Sequence, residues 1–239
     1  MTENLSNEAV CREIEENYSI IQQNLAQATQ QAGVSRESVR FMAVTKTVPP
    51  IFVNHALQLG IDLVGENKVQ ELLEKKEYLN GCYEAHLIGH LQTNKVKKII
   101  QEVTMIQSVD SVKLACEISK QAKNAGLVMP VLLELNIGEE ESKTGFLPQQ
   151  FADSALEIAE MDAVRVCGVM SVPPICDTQA EIRSWFEKVR RQYEKLKDNA
   201  KLKDMSILSM GMSSDYTEAV LEGANLVRVG SALFGHRRY

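Results

Sequence analysis

Apolar and polar positions follow two periods along this chain. Over residues 5–32, Val10, Ile14, Ile21, Leu25, Ala28 and Ala32 recur mostly at steps of three and four, and Gly33 closes the run. That spacing predicts one long amphipathic helix. Beyond it, short apolar runs predict strands at 41–45, 62–65, 86–89, 104–109, 130–137, 164–170, 206–210 and 226–229. The intervals near 51–60, 67–79, 93–102, 111–125, 149–161, 178–200 and 215–223 carry helical patterns. Continuous apolar strands alternating with amphipathic helices predict a parallel sheet covered by helices.

Eight strand–helix units within 239 residues fit a closed (β/α)8 TIM barrel with an extra N-terminal helix. The eighth helix is expected to be very short, with the N-terminal helix covering that part of the barrel. An open doubly wound sheet is the rival. Its glycine-rich fingerprint belongs after the first strand, where Thr45-Lys-Thr-Val-Pro-Pro50 stands instead. No linker, composition shift or internal repeat divides the chain, so residues 1–239 are read as a single domain.

Composition narrows the classes. Hydrophobic residues make up 44% and charged residues 24%, as in ordinary globular proteins. The net charge of -6 opposes non-specific binding to nucleic acid or anionic membrane. No apolar run is long enough to span a bilayer, and the polar, acidic start resembles no signal peptide. Cys11, Cys82, Cys116, Cys167 and Cys176 show neither a CxxC pair nor zinc spacing. Reduced thiols in a cytoplasmic protein are expected.

Candidate chemistry gathers at the predicted C-terminal strand ends, where barrels of this kind hold their sites. Those ends carry Lys46, Glu66 and Asn67, Gly89 and His90, Asn136, Met170 and Ser171, Ser209 to Ser213, and Arg228, Gly230 and Ser231. The stretches Leu208-Ser-Met-Gly-Met-Ser-Ser-Asp215 and Leu226-Val-Arg-Val-Gly-Ser-Ala-Leu-Phe-Gly235 each run from a short strand through small residues into a helix start. Glycine allows close backbone approach, serine adds a hydroxyl, and a helix start offers unpaired N–H groups. Two such turns after strands seven and eight suggest a phosphate site. Lys46 ends an apolar strand. It is either a nucleophile in a partly dry pocket or a lysine whose ammonium reaches water. With the phosphate turns, it suggests a phosphorylated aldehyde cofactor. Arg228, inside the last strand, is either a ligand contact or half of an ion pair. His86 and His90 lie four apart, but Gly89 and the strand pattern break the helical register a metal pair would need. His55 and His236 show no evident partners. Lys95, Lys97 and Lys98 read as a solvated helix face, and the acidic loop 138–145 lacks calcium-ligand spacing.

Collinear motifs then identify a resemblance. They are Ala43-Val-Thr-Lys-Thr47, Gly65-Glu-Asn67, His86-Leu-Ile-Gly-His-Leu-Gln-Thr-Asn-Lys95, Ser108-Val-Asp110, Asn136-Ile-Gly-Glu-Glu-Glu-Ser-Lys-Thr-Gly145, Gly168-Val-Met170, Ser209-Met-Gly-Met-Ser213 with Asp215, and Val227-Arg-Val-Gly-Ser231 with Phe234-Gly235. Over nearly its full length the chain resembles the pyridoxal phosphate homeostasis proteins, which look like the barrel domain of alanine racemase standing alone. The resemblance implies that Lys46 carries pyridoxal 5'-phosphate as a Schiff base. It places the phosphate at Ser213, Gly230 and Ser231, the pyridine nitrogen opposite Arg228, and the ring beside Asn67. An arginine at that nitrogen disfavours its protonation and weakens the ring as an electron sink. The resembled racemases share the arginine but add a tyrosine base from a separate domain of a partner chain. No such domain is expected here, and Tyr216 and Tyr239 belong to no matched motif.

The expected function is therefore intracellular vitamin B6 homeostasis. The protein would carry or buffer the cofactor without catalysis and pass it to pyridoxal phosphate-dependent apo-enzymes. A monomer is expected. A racemase of unknown substrate is the alternative, and a cofactor-free Schiff-base aldolase is a weaker one.

Overall fold

The computed structural model describes residues 2–235, with side chains from Asn7 onward; His236 and Tyr239 lie outside that range. Eight parallel strands close into a barrel in sequence order, with the last hydrogen-bonded to the first. They are β1 (Arg40–Val44), β2 (Leu63–Glu66), β3 (Glu84–Leu87), β4 (Met105–Val109), β5 (Met129–Leu135), β6 (Val164–Ser171), β7 (Ile207–Ser209) and β8 (Leu226–Val229). The helices are α1 (Thr2–Ala32), α2 (Pro50–Gln58), α3 (Val69–Lys76), α4 (Val96–Ile99), α5 (Val112–Asn124), α6 (Phe151–Ala159), α7 (Gln179–Lys197), α8 (Tyr216–Leu221) and α9 (Ser231–Phe234). Local chemistry sets several of these boundaries. Ser111 caps α5 by accepting from Leu114 N–H, and Thr178 with Glu181 forms a capping box on α7.

The final helix, α9, is a single turn of four residues and cannot cover its share of the barrel wall. The long α1 packs against α8 and α9 instead. Its buried face carries Ile14, Ile21, Leu25 and Ala28. Asn17 Nδ2 donates to the Leu233 carbonyl at 3.1 Å, and Asn24 Nδ2 donates to the Tyr216 hydroxyl at 2.9 Å.

Strand alternation divides the apolar residues into layers. One large cluster, with Phe41, Ala43, Val227 and Val229, forms the layer between strands and helices. Two small clusters lie elsewhere: Met42, Leu63 and Leu226 in one, and Met105, Leu132, Cys167 and Met170 in the other. Because these residues alternate with strand positions in the large cluster, they face the barrel interior.

Candidate functional site

Period-two alternation puts Met42 and Val44 on the inner side of β1, and Lys46, two residues past its end, lines the C-terminal mouth with Val44. At the end of β2 two neighbours part. Glu66 is buried against α3, while Asn67 turns to the mouth. The chain after β3 passes close to Asn67. A Cβ at Gly89 would lie 2.4 Å from the Asn67 carbonyl oxygen, so only glycine fits there.

The turns after β7 and β8 form one structure. Ser213 Oγ accepts from the Gly230 and Ala232 N–H groups, each at 3.1 Å. Gly211 takes φ +89° while the chain doubles back on α8, where a Cβ would meet Ala219 at 2.5 Å. Asp215 accepts from Met212 N–H at 2.6 Å and shapes the first turn. Among the described residues, the N–H groups of Ser213, Ser214 and Ser231 meet no acceptor. Such unpaired amides beside serine hydroxyls suit an anion.

Lys46, Asn67, Ser213, Arg228, Gly230 and Ser231 all line one cavity of about 820 Å³. Val44, Ile88, Met170, Val172 and Phe234 supply its apolar wall. Sequence reasoning did not single out Val44 and Ile88, although alternation along β1 and after β3 signals both.

Arg228 is buried at the floor of this cavity. Its Nη1 donates to Ser209 Oγ at 2.6 Å and its Nη2 to the Ser171 carbonyl at 2.9 Å. No carboxylate among the described residues lies within ion-pair distance of it. Burial lowers its pKa to about 10, with Asp215 and Glu134 pulling the other way from further off. The guanidinium therefore stays charged at neutral pH, held by neutral partners.

A second buried cation stands behind Lys46. Lys75 Nζ donates to Glu66 at 2.6 Å, to Glu71 at 2.9 Å and to the Thr45 carbonyl at 2.7 Å. Thr45 Oγ1 donates to Glu66 at 2.7 Å, and Thr47 N–H donates to Glu71. Both neighbours of Lys46 are thus tied to one charged cluster. Thr47 adopts φ +62°, an uncommon conformation for a threonine, and the Glu71 bond holds it there. Burial pushes the Glu66 carboxyl up despite the bonds from Lys75 and Thr45. Burial also works to raise Glu71, but the bonds from Lys75 and Thr47 outweigh it and its pKa is lowered.

The remaining sequence expectations have mixed outcomes. His55 has a partner after all, Glu15 of α1, with Nε2 and Oε1 2.9 Å apart. Only the folded barrel brings α1 against α2. Tyr216 does not line the cavity: it is buried under α1, where Asn24 donates to its hydroxyl. His90 meets Asp110 at 2.8 Å, and no cluster among the described residues is built to hold a metal. Asn136 Nδ2 donates to the Glu140 and Lys143 carbonyls and folds the acidic loop. Lys95, Lys97 and Lys98 are exposed, and all five cysteines are free. No helix among the described residues is long and apolar enough to cross a membrane.

Comparison with known proteins follows the same lines. The family profile of "Alanine racemase, N-terminal domain" matches residues 17–238. A "Pyridoxal phosphate homeostasis protein" of Aquifex aeolicus is 37% identical over 225 residues, covering 94% of this chain and 98% of that protein. The structure of PipY of Synechococcus elongatus with PLP bound superimposes with a TM-score of 0.79 at 32% identity, covering 90% of this chain and all of that one. An alanine racemase of Clostridium difficile shares the fold at 17% identity, with a TM-score of 0.71 over 95% of this chain and 58% of its own. The chain belongs to the alanine racemase N-terminal domain family and, within it, to the pyridoxal phosphate homeostasis proteins.

Proposed function

We propose that this chain is one barrel domain that binds pyridoxal 5'-phosphate and keeps the vitamin B6 pool in balance. It does so by carrying or buffering the cofactor in the cytoplasm, as a monomer that hands it to apo-enzymes. One observation carries the reading. A lone strand-end lysine, two anion-type turns and a buried arginine face the same cavity.

The residues fit the group. Ser213 and Ser231 would hold the phosphate through hydroxyls and N–H groups, and Gly230, whose N–H goes to Ser213, would hold it by letting the backbone come close. Lys46 would hold the aldehyde carbon, Asn67 the ring, and Arg228 the ring nitrogen. When bound, pyridoxal phosphate supplies an aldehyde that condenses with primary amines. Arg228 can only donate, so it favours an unprotonated nitrogen opposite it and opposes electron withdrawal into the ring. Among the described residues, no Asp, Glu, His, Cys or Tyr lines the cavity. Lys46 is then without a second proton-transfer group on the opposite side, which suits retention better than turnover. The homeostasis names of the relatives support the same reading.

The test is direct. The purified protein should be yellow, and borohydride should fix the cofactor covalently to Lys46. A label mapped to any other peptide sinks the assignment. Solvent deuterium incorporation into L- and D-amino acids, read by proton NMR, should be slow or absent. Turnover near 1 s⁻¹, well within the enzyme range, would establish a racemase instead.

A further inference from the structure

The barrel interior holds a line of polar side chains that cofactor binding does not itself require. Ser209 Oγ donates to Gln107 Oε1 at 2.8 Å, and Gln107 Nε2 lies 2.8 Å from His86 Nδ1. Arg228 Nη1 reaches the same Ser209 Oγ at 2.6 Å. His86 Nε2 ends the line 3.7 Å from Glu84 Oε2, at a polar hollow in the opposite mouth of the barrel. Exposure is 4% at Arg228, 0% at Ser209 and Gln107, and 2% at His86.

The bonds in this line share one direction. A guanidinium only donates, so Ser209 Oγ must accept from it. The single serine proton goes to the near amide atom of Gln107, its Oε1. The amide nitrogen therefore faces His86 Nδ1 and donates to it. A neutral imidazole that accepts at Nδ1 carries its proton on Nε2, toward the Glu84 carboxylate. The line thus runs one way from the cavity floor to the far end of the barrel. Reversal of one link alone would leave two donors or two acceptors face to face in a dry core, which is costly.

We propose that Ser209, Gln107 and His86 are positioning residues for Arg228, a one-directional hydrogen-bonded chain that fixes how the guanidinium presents its N–H groups to the cavity. The proposal rests on the reading that the cofactor ring nitrogen sits against Arg228. One feature supports it beyond mere polar satisfaction. Arg228 has no carboxylate within ion-pair distance among the described residues, so its orientation depends on Ser209 and the Ser171 carbonyl.

Two measurements test this. In the unliganded wild type, long-range proton–nitrogen NMR at pH 7 should find His86 neutral with its proton on Nε2; a proton on Nδ1 overturns the proposal. In the second, pyridoxal phosphate labelled with ¹⁵N in the ring is bound to wild type, Arg228→Met, Ser209→Ala and Gln107→Leu. The ring nitrogen of wild type should resonate as an unprotonated acceptor. Ser209→Ala and Gln107→Leu should each move it toward the Arg228→Met position and weaken retention roughly five-fold, as expected for one misaligned bond. A shift that responds to Arg228→Met but to neither of the other two overturns the proposal alone. A wild-type shift indifferent to Arg228→Met overturns the underlying reading, and the proposal with it. Ser209→Ala removes one oxygen atom and carries the test if Gln107→Leu does not fold.

Discussion

Lys75 and Arg228 are both buried cations, and the barrel treats them in opposite ways. Lys75 sits outside the strands, between β2 and α3, with two carboxylates and a carbonyl around its ammonium. Arg228 sits inside the barrel with a hydroxyl and a carbonyl as partners. Charge compensation at Lys75 serves architecture, because the cluster ties down Thr45 and Thr47 on either side of Lys46. Compensation withheld at Arg228 leaves a cation whose remaining donors are available to a ligand, at a cost in solvation that lowers its pKa to about 10. A paired buried charge reads as scaffold and an unpaired one facing a cavity reads as site.

The largest expected effect tests that contrast. Lys75→Met should cost about 3–5 kcal/mol in urea unfolding, because it strands buried carboxylates. Arg228→Met should cost under about 2 kcal/mol in the unliganded protein, since lost hydrogen bonds are offset by relief of a buried charge. Equal losses would erase the distinction.

The next effect concerns pH. Burial holds His86 at about 4 against the ordinary 6.5, with Glu84 opposing. Between those values the unfolded chain binds a proton that the folded chain does not, so unfolding free energy rises with pH there. Stability should be full above about pH 6.5 and fall by roughly 3 kcal/mol as the pH drops to 4. His86→Gln should flatten that part of the profile. An unchanged profile would show that the polar line inside the barrel does not hold His86 neutral.

Smaller effects sharpen the picture at the anion turns. Ser213→Ala and Ser231→Ala should each weaken cofactor retention by about 1.5–3 kcal/mol in equilibrium dialysis. Only Ser213→Ala should also lower thermal stability, because its hydroxyl joins the two turns. The smallest effect is expected at Thr47. Replacing it with glycine relieves its φ of +62° but frees the unfolded chain, so stability should stay within about 1 kcal/mol of wild type, on the stabilising side.

Much of the architecture is legible without coordinates. Parallel strands buried on both faces read as continuous apolar runs, which is why β1 through β8 stand out between amphipathic helices. The cover of α1 over a stunted α9 was also legible, because the last strand leaves too little chain for a full eighth helix while residues 5–32 read as one long amphipathic helix. The glycine–serine turns after β7 and β8 announce themselves because backbone chemistry there is local. Other features are not local. Nothing near His55 points to Glu15, and nothing near Tyr216 tells that α1 covers it. Gln107 is a polar residue in an apolar strand, a signal that was present and carries no partner with it.

Sequence alone determined the periods, hence eight strands, their helices and the small-residue turns at their ends. It placed Glu66 and Asn67 together at the end of the second strand, and only the structure parts them, Glu66 buried against α3 and Asn67 in the cavity lining. Which side became scaffold and which became cavity was decided by closure of the barrel, since inside and outside exist only once β8 meets β1. Closure likewise brought Ser209 to Gln107 across 102 positions of chain. Hydrogen bonds of that reach depend on the register of every intervening strand, and register is a property of the whole sheet rather than of any segment.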